Sequence, residues 1–348
     1  MNTSKGHRLV QFELLRILAM LYVVLNHVIG YGLGIFESFT VNTSTTSGFI
    51  LWSVLQIMKL IPLVGVNLFV LITGYFMIEK QQLRFKGIWR IWSTVWFYAV
   101  GIYLLASITG VVPFTWHDLL KEATPLLSNS YWFVTSYLIL MVLSPLLSFM
   151  LNRVSKNQYR IILLLGGIVC FQPLLGQFVM DSQQILLFIY LFNIGGYIRK
   201  YNGELAIRYI SPTVVSWIIL LLMFLFTLYK NIMLGSNDYK VFSMTYYGLV
   251  LPLSVCVFLR AKNWQIQNDK AKNIILMMAP LSFSAYLIDS QSVVHVLLYN
   301  NLQTILLSMC PYLLPLACIC FTVIIYIVCI SIDYIRIRLA KYIIPHHV

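Results

Sequence analysis

Apolar runs of about twenty residues recur along this chain, and that is the length an α-helix needs to cross the ~30 Å hydrocarbon core of a bilayer. Few folds remain open to such a chain. Inside lipid every backbone N–H and C=O must be paired within the protein, which leaves helices or a closed barrel. Of the 348 residues, 60% are hydrophobic and 10% charged, far from a soluble composition. No polar stretch exceeds about twenty residues, so a separate soluble domain has nowhere to sit. The chain reads as all-α and polytopic, a single membrane domain over residues 1–348. About ten spans are predicted, near 10–32, 50–77, 89–112, 131–151, 160–179, 184–199, 212–230, 244–260, 274–299 and 305–333. The second is interrupted by Pro62 and holds Lys59, the only lysine deep within an apolar run.

The net charge of +13 would suit nucleic acid or anionic lipid if it formed one patch. It alternates instead. One set of connections carries Lys5, Arg8; Lys80, Arg84, Lys86, Arg90; Arg153, Lys156, Arg160; Arg199, Lys200, Arg208; Arg260, Lys262, Lys270, Lys272; and Arg336, Arg338, Lys341. The other set carries only Lys121, Lys230 and Lys240. That is positive-inside asymmetry, and it predicts an inner-membrane protein with both termini cytoplasmic, membrane lipid around it and no nucleic-acid partner. The first apolar run is long, contains Glu13 and Arg16 and lacks a small-residue exit, so it reads as a permanent helix and not a cleaved signal. The six cysteines all fall in or beside apolar runs. They read as free, buried thiols, with neither a disulfide framework nor a metal site.

Chemistry is concentrated in the first span. FELLRILAMLYVVLNHVIGYG is apolar enough to cross a membrane yet carries Glu13, Arg16 and His27. Ionisable groups in a span are costly and usually face the protein interior or a wet cavity. Arg16 and His27 are eleven residues apart, which places them near one helical face and roughly 16 Å apart along the axis. A basic anchor at the inner surface and a base further in suit an elongated anionic molecule. The plainer alternative is an Arg16 that snorkels and a His27 that makes a buried hydrogen bond.

Two other stretches stand out. The loop EKQQLRFKGIWRIW brings Arg84, Lys86 and Arg90 among Phe85, Trp89 and Trp92. It is either ordinary positive-inside charge with interfacial tryptophans, or a clamp in which cations hold phosphate and a ring stacks on an adenine. The ninth span, APLSFSAYLIDSQSVVHVLLYN, sets Asp289 at a depth similar to that of His27. An acid there needs a partner, either the His27 imidazole or a Tyr, Ser or water. His295, six residues on, falls on another face and reads as structural or as lining an outer cavity. Asn26 is the other polar residue of interest, since it adjoins His27. No nucleotide-binding glycine loop, zinc spacing or nucleophile elbow is present.

Four stretches together resemble the acyltransferase 3 family of bacterial integral membrane proteins. FELLRILAMLYVVLNH is similar to its first-helix motif, GVNLFVLITGYFM to its Phe-rich span, YWFVTSYLILMVLSPLL to its Trp-Phe span, and SFSAYLID to its Ser-Phe-x-x-Tyr-Leu-x-His stretch. The resemblance covers essentially the whole chain. It implies transfer of an acyl group, usually acetyl, from cytoplasmic acetyl-CoA to a sugar hydroxyl of a glycan or lipid-linked glycan, with no permanently bound cofactor and no metal. By the same resemblance His27 is the catalytic base or acyl carrier, and Arg16 helps to hold the coenzyme. The family's Arg-x-x-Arg pair is absent, and Arg84, Lys86 and Arg90 are the nearest stand-ins. Asp289 stands where the family often has His. Asp289 and Asn26 complete the candidate catalytic set: Asp289 either takes over a supporting role or does no chemistry, and the oxyanion donor is Asn26 or a tyrosine. Direct transfer and an acyl-histidine both remain open. The competing class is a multi-span transporter or flippase of a glycan or lipid-linked sugar. The internal repeats and paired broken helices common in such proteins are not apparent here. A glycan polymerase is disfavoured by the short outer connections.

Overall fold

The computed structural model describes residues 8–36, 39–83, 85–128, 130–171, 183–201, 211–241 and 247–343. The chain order is α1 (Val10–His27), α2 (Thr46–Leu60), α3 (Gly65–Met77), α4 (Phe85–Ile108), α5 (Trp116–Ala123), α6 (Trp132–Arg153) and α7 (Lys156–Phe171). It continues with α8 (Gln183–Lys200), α9 (Pro212–Met233), α10 (Tyr247–Lys262), α11 (Asp269–Met278), α12 (Ser282–Asp289), α13 (Ser292–Ser308) and α14 (Leu314–Ile343). Strands β1 (Thr40–Asn42) and β2 (Asp238–Lys240) form a two-stranded antiparallel ribbon. The protein is an all-α, polytopic membrane protein.

Among the described residues, seven helical stretches are long and apolar enough to cross a bilayer: Val10–Gly32, Thr46–Met77, Phe85–Ile108, Trp132–Arg153, Pro212–Met233, Asp269–Asp289 and Pro311–Ala340. The other expected spans coincide with α7, α8 and α10. Residues 172–179 of the fifth predicted span and 244–246 of the eighth lie outside the described residues.

Helix α1 is the axis of the bundle. It packs against α3, α10, α11, α12 and α14. Buried Phe12, Leu15, Ala19 and Met20 follow one stripe, and Glu13, Ile17, Val23 and Val24 widen it until little of the helix is free. The second span is continuous, and Pro62 is absorbed by a 3-10 turn, Ile61–Val64, between α2 and α3. Proline lacks an N–H, so the helix tightens there instead of stopping.

The ninth span departs from expectation. The predicted helix over 274–299 ends at Asp289, and α13 starts anew at Ser292. The polar run Asp-Ser-Gln-Ser is the reason: the Gln291 side chain accepts from the Val293 and Val294 amides and caps a new helix. Helix α13 stays at the end of the bundle away from Val10. Near its start Ser292 donates to Glu122 of α5 at 2.6 Å, and just beyond its end Tyr312 reaches Ser47 at 3.3 Å. The tenth span therefore starts later than 305. The thiols also differ from expectation, since Cys310 and Cys320 are exposed while Cys256, Cys318 and Cys329 are buried. Cys320 lies on the outward face of α14, two residues from buried Cys318; the Cys170 side chain lies outside the described residues.

Glycines set the closest helix crossing. A Cβ on Gly74 of α3 would lie 2.2 Å from the Phe192 carbonyl oxygen, and one on Gly195 of α8 would lie 2.4 Å from that of Leu71. Small residues let backbones approach where lipid supplies no hydrophobic drive. Gly74→Leu or Gly195→Leu should force the helices apart and cost about 1–3 kcal/mol or more of stability. The check is the unfolding temperature of the detergent-solubilised protein, which should fall for both variants and stay unchanged for Gly101→Leu, whose Cβ would meet nothing within 4 Å.

Candidate functional site

The end of α1 and the end of α12 meet. His27 Nδ1 lies 2.5 Å from Asp289 Oδ2, across 262 residues of sequence. Asp289 has 0% exposure. Its other oxygen accepts from the Tyr299 hydroxyl of α13. A carboxylate can only accept, so the imidazole donates from Nδ1, and in its neutral form Nε2 carries the lone pair. The His27 side chain keeps 16% exposure, enough to be approached from one side.

The break after Asp289 makes this arrangement possible. A continuous helix would put position 295 some 240° round from 289. With the turn at 290–291, His295 comes back to the site instead of lining a remote face. Its Nδ1 lies 3.4 Å from the Asp289 carbonyl oxygen, and its ring centroid is 6.0 Å from that of His27. The ending of α12 also exposes carbonyls, and the Tyr131 hydroxyl takes that of Leu287 at 3.1 Å.

Asn26 turns elsewhere. Adjacent helical residues point about 100° apart, so His27 meets α12 while Asn26 meets α2. There Lys59 Nζ donates to Asn26 Oδ1 at 2.8 Å and to the Asn26 carbonyl at 3.4 Å. Lys59 is fully buried and lies 3.9 Å over the Phe36 ring.

Arg16 is also engaged, with its Nη1 2.6 Å from Glu13 Oε1 one turn earlier and about a third of its side chain exposed. Arg84 lies outside the described residues. Lys86 and Arg90, four apart on α4, share one face. Together with Leu83, Phe85 and Gly87 they line an open recess of about 650 Å³. Trp89 and Trp92 stack beside it at 5.0 Å. The structure thus joins His27 to Asp289, and Lys86 to Arg90, while Asn26 is joined to Lys59.

Three participants escaped the sequence reading. Lys59 was visible as a lone lysine in an apolar run, without its partner. Tyr299 sits ten residues beyond Asp289 and is brought back by the helix break. Glu122 of α5 is 3% exposed and donates nothing as a carboxylate; its Oε1 accepts from Ser292, and Oε2 has no hydrogen-bond partner among the described residues. Burial raises its pKa above the usual carboxylate value, in a helix that lies outside the spans.

The family model described as an acyltransferase domain, that of the acyltransferase 3 family, matches residues 9–334. No curated protein and no solved structure matches the chain.

Tyr299→Phe removes one of the two side-chain donors to the buried Asp289 carboxylate. It should cost about 1–3 kcal/mol, read as a lower unfolding temperature in detergent. An unchanged transition would mean that the carboxylate is supported by other donors.

Proposed function

The chain belongs to the acyltransferase 3 family and is a membrane acyltransferase, and from that premise we propose that it transfers acetyl from cytoplasmic acetyl-CoA to a hydroxyl of a cell-surface or exported polysaccharide. The observation that carries this reading is the His27–Asp289 pair at 2.5 Å. Asp289 orients the ring and balances the charge it gains, while Nε2 acts as general base. Nε2 takes the proton of the acceptor hydroxyl as its oxygen attacks the thioester carbonyl. The tetrahedral intermediate then breaks its C–S bond, and the imidazolium returns the proton to the departing thiolate. The products are an acetyl ester and the free coenzyme.

In this reading residues 1–348 form one catalytic domain in the inner membrane with both termini cytoplasmic, as the lysine and arginine bias supports. The coenzyme phosphates stay at the basic cytoplasmic rim, held by Lys86 and Arg90 of α4, with Arg84 just before them in the sequence. Arg16 lies further along, and its pairing with Glu13 must loosen for it to hold an anion. An extended pantetheine arm is comparable in length to the roughly 16 Å from Arg16 to His27. Asn26 faces α2, where Lys59 holds its oxygen, so in this reading it steadies the end of α1 and is not the donor to the oxyanion.

Lys86→Gln with Arg90→Gln should raise the apparent KM for acetyl-CoA about tenfold, close to 1.4 kcal/mol, with kcat little altered. Unchanged kinetics would reduce both residues to topology determinants. For the reaction itself, wild type and His27→Ala are expressed at equal membrane levels and the acetyl content of the surface glycan is measured by NMR. Acetyl should disappear in the variant while the glycan is still exported. Loss of the glycan itself would favour a transport function, and an unchanged acetyl content would remove His27 from the chemistry.

A further inference from the structure

Immediately after His27 the helix widens into a π-turn, Val28–Gly32, closed by the Leu33 amide donating to the Val28 carbonyl five residues back at 3.0 Å. Single π-turns inside helices are frequent at functional sites. This one directs Tyr31 to the outer side of His27, with ring centroids 5.8 Å apart and a near-perpendicular arrangement. The chain then folds back and lays Phe36 on Gly30, so closely that a Cβ on Gly30 would lie 2.1 Å from the Phe36 ring. Lys59 holds the same ring by its ammonium. Tyr31 stands 5.0 Å from Phe36 and 4.4 Å from His295.

These rings are open to the outside. Tyr31 and Phe36 are each 44% exposed, although they sit at the end of the helix that packs against most of the bundle. A single exposed aromatic needs no explanation, but here two of them, with a histidine, border the approach to the one partly open side of His27.

We propose that Tyr31, braced by Phe36 and with His295 beside it, forms a carbohydrate-stacking subsite that holds the acceptor sugar with one hydroxyl turned to His27 Nε2. A pyranose carries its C–H groups on one face and its hydroxyls around the rim. The C–H face fits an aromatic face through dispersion and through the ring quadrupole. The rim then meets the two histidines. His295 turns Nδ1 to the Asp289 carbonyl, which leaves its Nε2 toward the ligand side as an acceptor for a second hydroxyl. The ammonium at the platform lies beneath the Phe36 ring, fully buried and bonded to Asn26, so the surface offers stacking and hydrogen bonds in place of charge. That favours a sugar ring over a phosphate headgroup. The subsite rests on the polysaccharide reading above and deepens it, since it assigns the acceptor to residues on the side of His27 away from Arg16.

The test uses purified protein in detergent, acetyl-CoA as donor and two acceptors: envelope polysaccharide stripped of its esters by mild base, and dodecanol. Tyr31→Ala should raise the polysaccharide KM about tenfold or more, with the acetyl-CoA KM moving less than about twofold. Tyr31→Trp should keep the polysaccharide KM near that of wild type, because it is the ring face that binds. If Tyr31→Ala does not give monodisperse protein, Tyr31→Leu carries the same expectation. An acceptor KM unmoved by loss of the ring, or a Trp variant as poor as the Ala variant, overturns the stacking while leaving the acyltransferase reading intact. A wild-type protein that acetylates dodecanol but not the polysaccharide overturns both.

Discussion

A carboxylate with no exposed surface persists in an apolar bundle only if donors replace the water it has lost. Asp289 obtains them from His27 and Tyr299, and much of the fold follows from bringing those two groups to it. Helix α12 ends at the acid, the chain turns within two residues, and α13 returns with Tyr299 and His295. Helix α1 must reach the same level, and its position at the bundle axis, packed against α3, α10, α11, α12 and α14, holds it there. The pairing that isolates the acid also fixes the tautomer of the histidine. One interaction therefore serves both to make the buried charge tolerable and to present a basic nitrogen at an opening.

The four stretches that resemble one family in sequence are one unit in space. Phe12 of α1 packs against Tyr75 and Phe76 of α3, each at 5.0 Å. Gly74, between them and the rest of α3, is the point at which α8 comes closest. Tyr131, which opens the Trp-Phe span, caps the carbonyl of Leu287, and Phe133 packs edge-on against Tyr286. Most residues of these motifs touch one another and not a prospective substrate. Their shared pattern thus reflects the frame around the end of α1 as much as the chemistry performed there.

The all-α membrane class was legible, and His27 was one of the partners weighed for Asp289, because both rest on simple quantities, apolar length and depth along a helix. The break at Ser290–Gln291 was not, although its cause is local. A stretch with no proline or glycine from Leu281 to Asn300 reads as continuous when apolar residues lie on both sides, and side-chain capping by Gln291 decides otherwise. His295 was misplaced for the same reason, since its face was counted along a helix that stops. Arg16 was read as a free anchor although Glu13 stands three residues before it, a spacing at which a helix brings opposite charges together. Asn26 was read beside His27, which sequence adjacency suggests and helical geometry denies; its partner, Lys59, comes from another helix.

The partners of these groups arrive at different times as the chain is made. Arg16 finds Glu13 within one turn, and Lys59 finds Asn26 across 33 residues. His27 waits for an acid 262 residues later. At a synthesis rate of about 5–20 residues per second, that interval lasts roughly 13–52 s. Throughout it the first helix has Arg16 already paired with Glu13 and Asn26 already held by Lys59 of α2, while its histidine is still without a carboxylate. The His27–Asp289 pair and the return of Tyr299 and His295 to it are completed only once α12 and α13 have been made. A chain that stops before α12 therefore leaves the His27 ring unoriented, and the arrangement around it comes into being only when α12 and α13 follow.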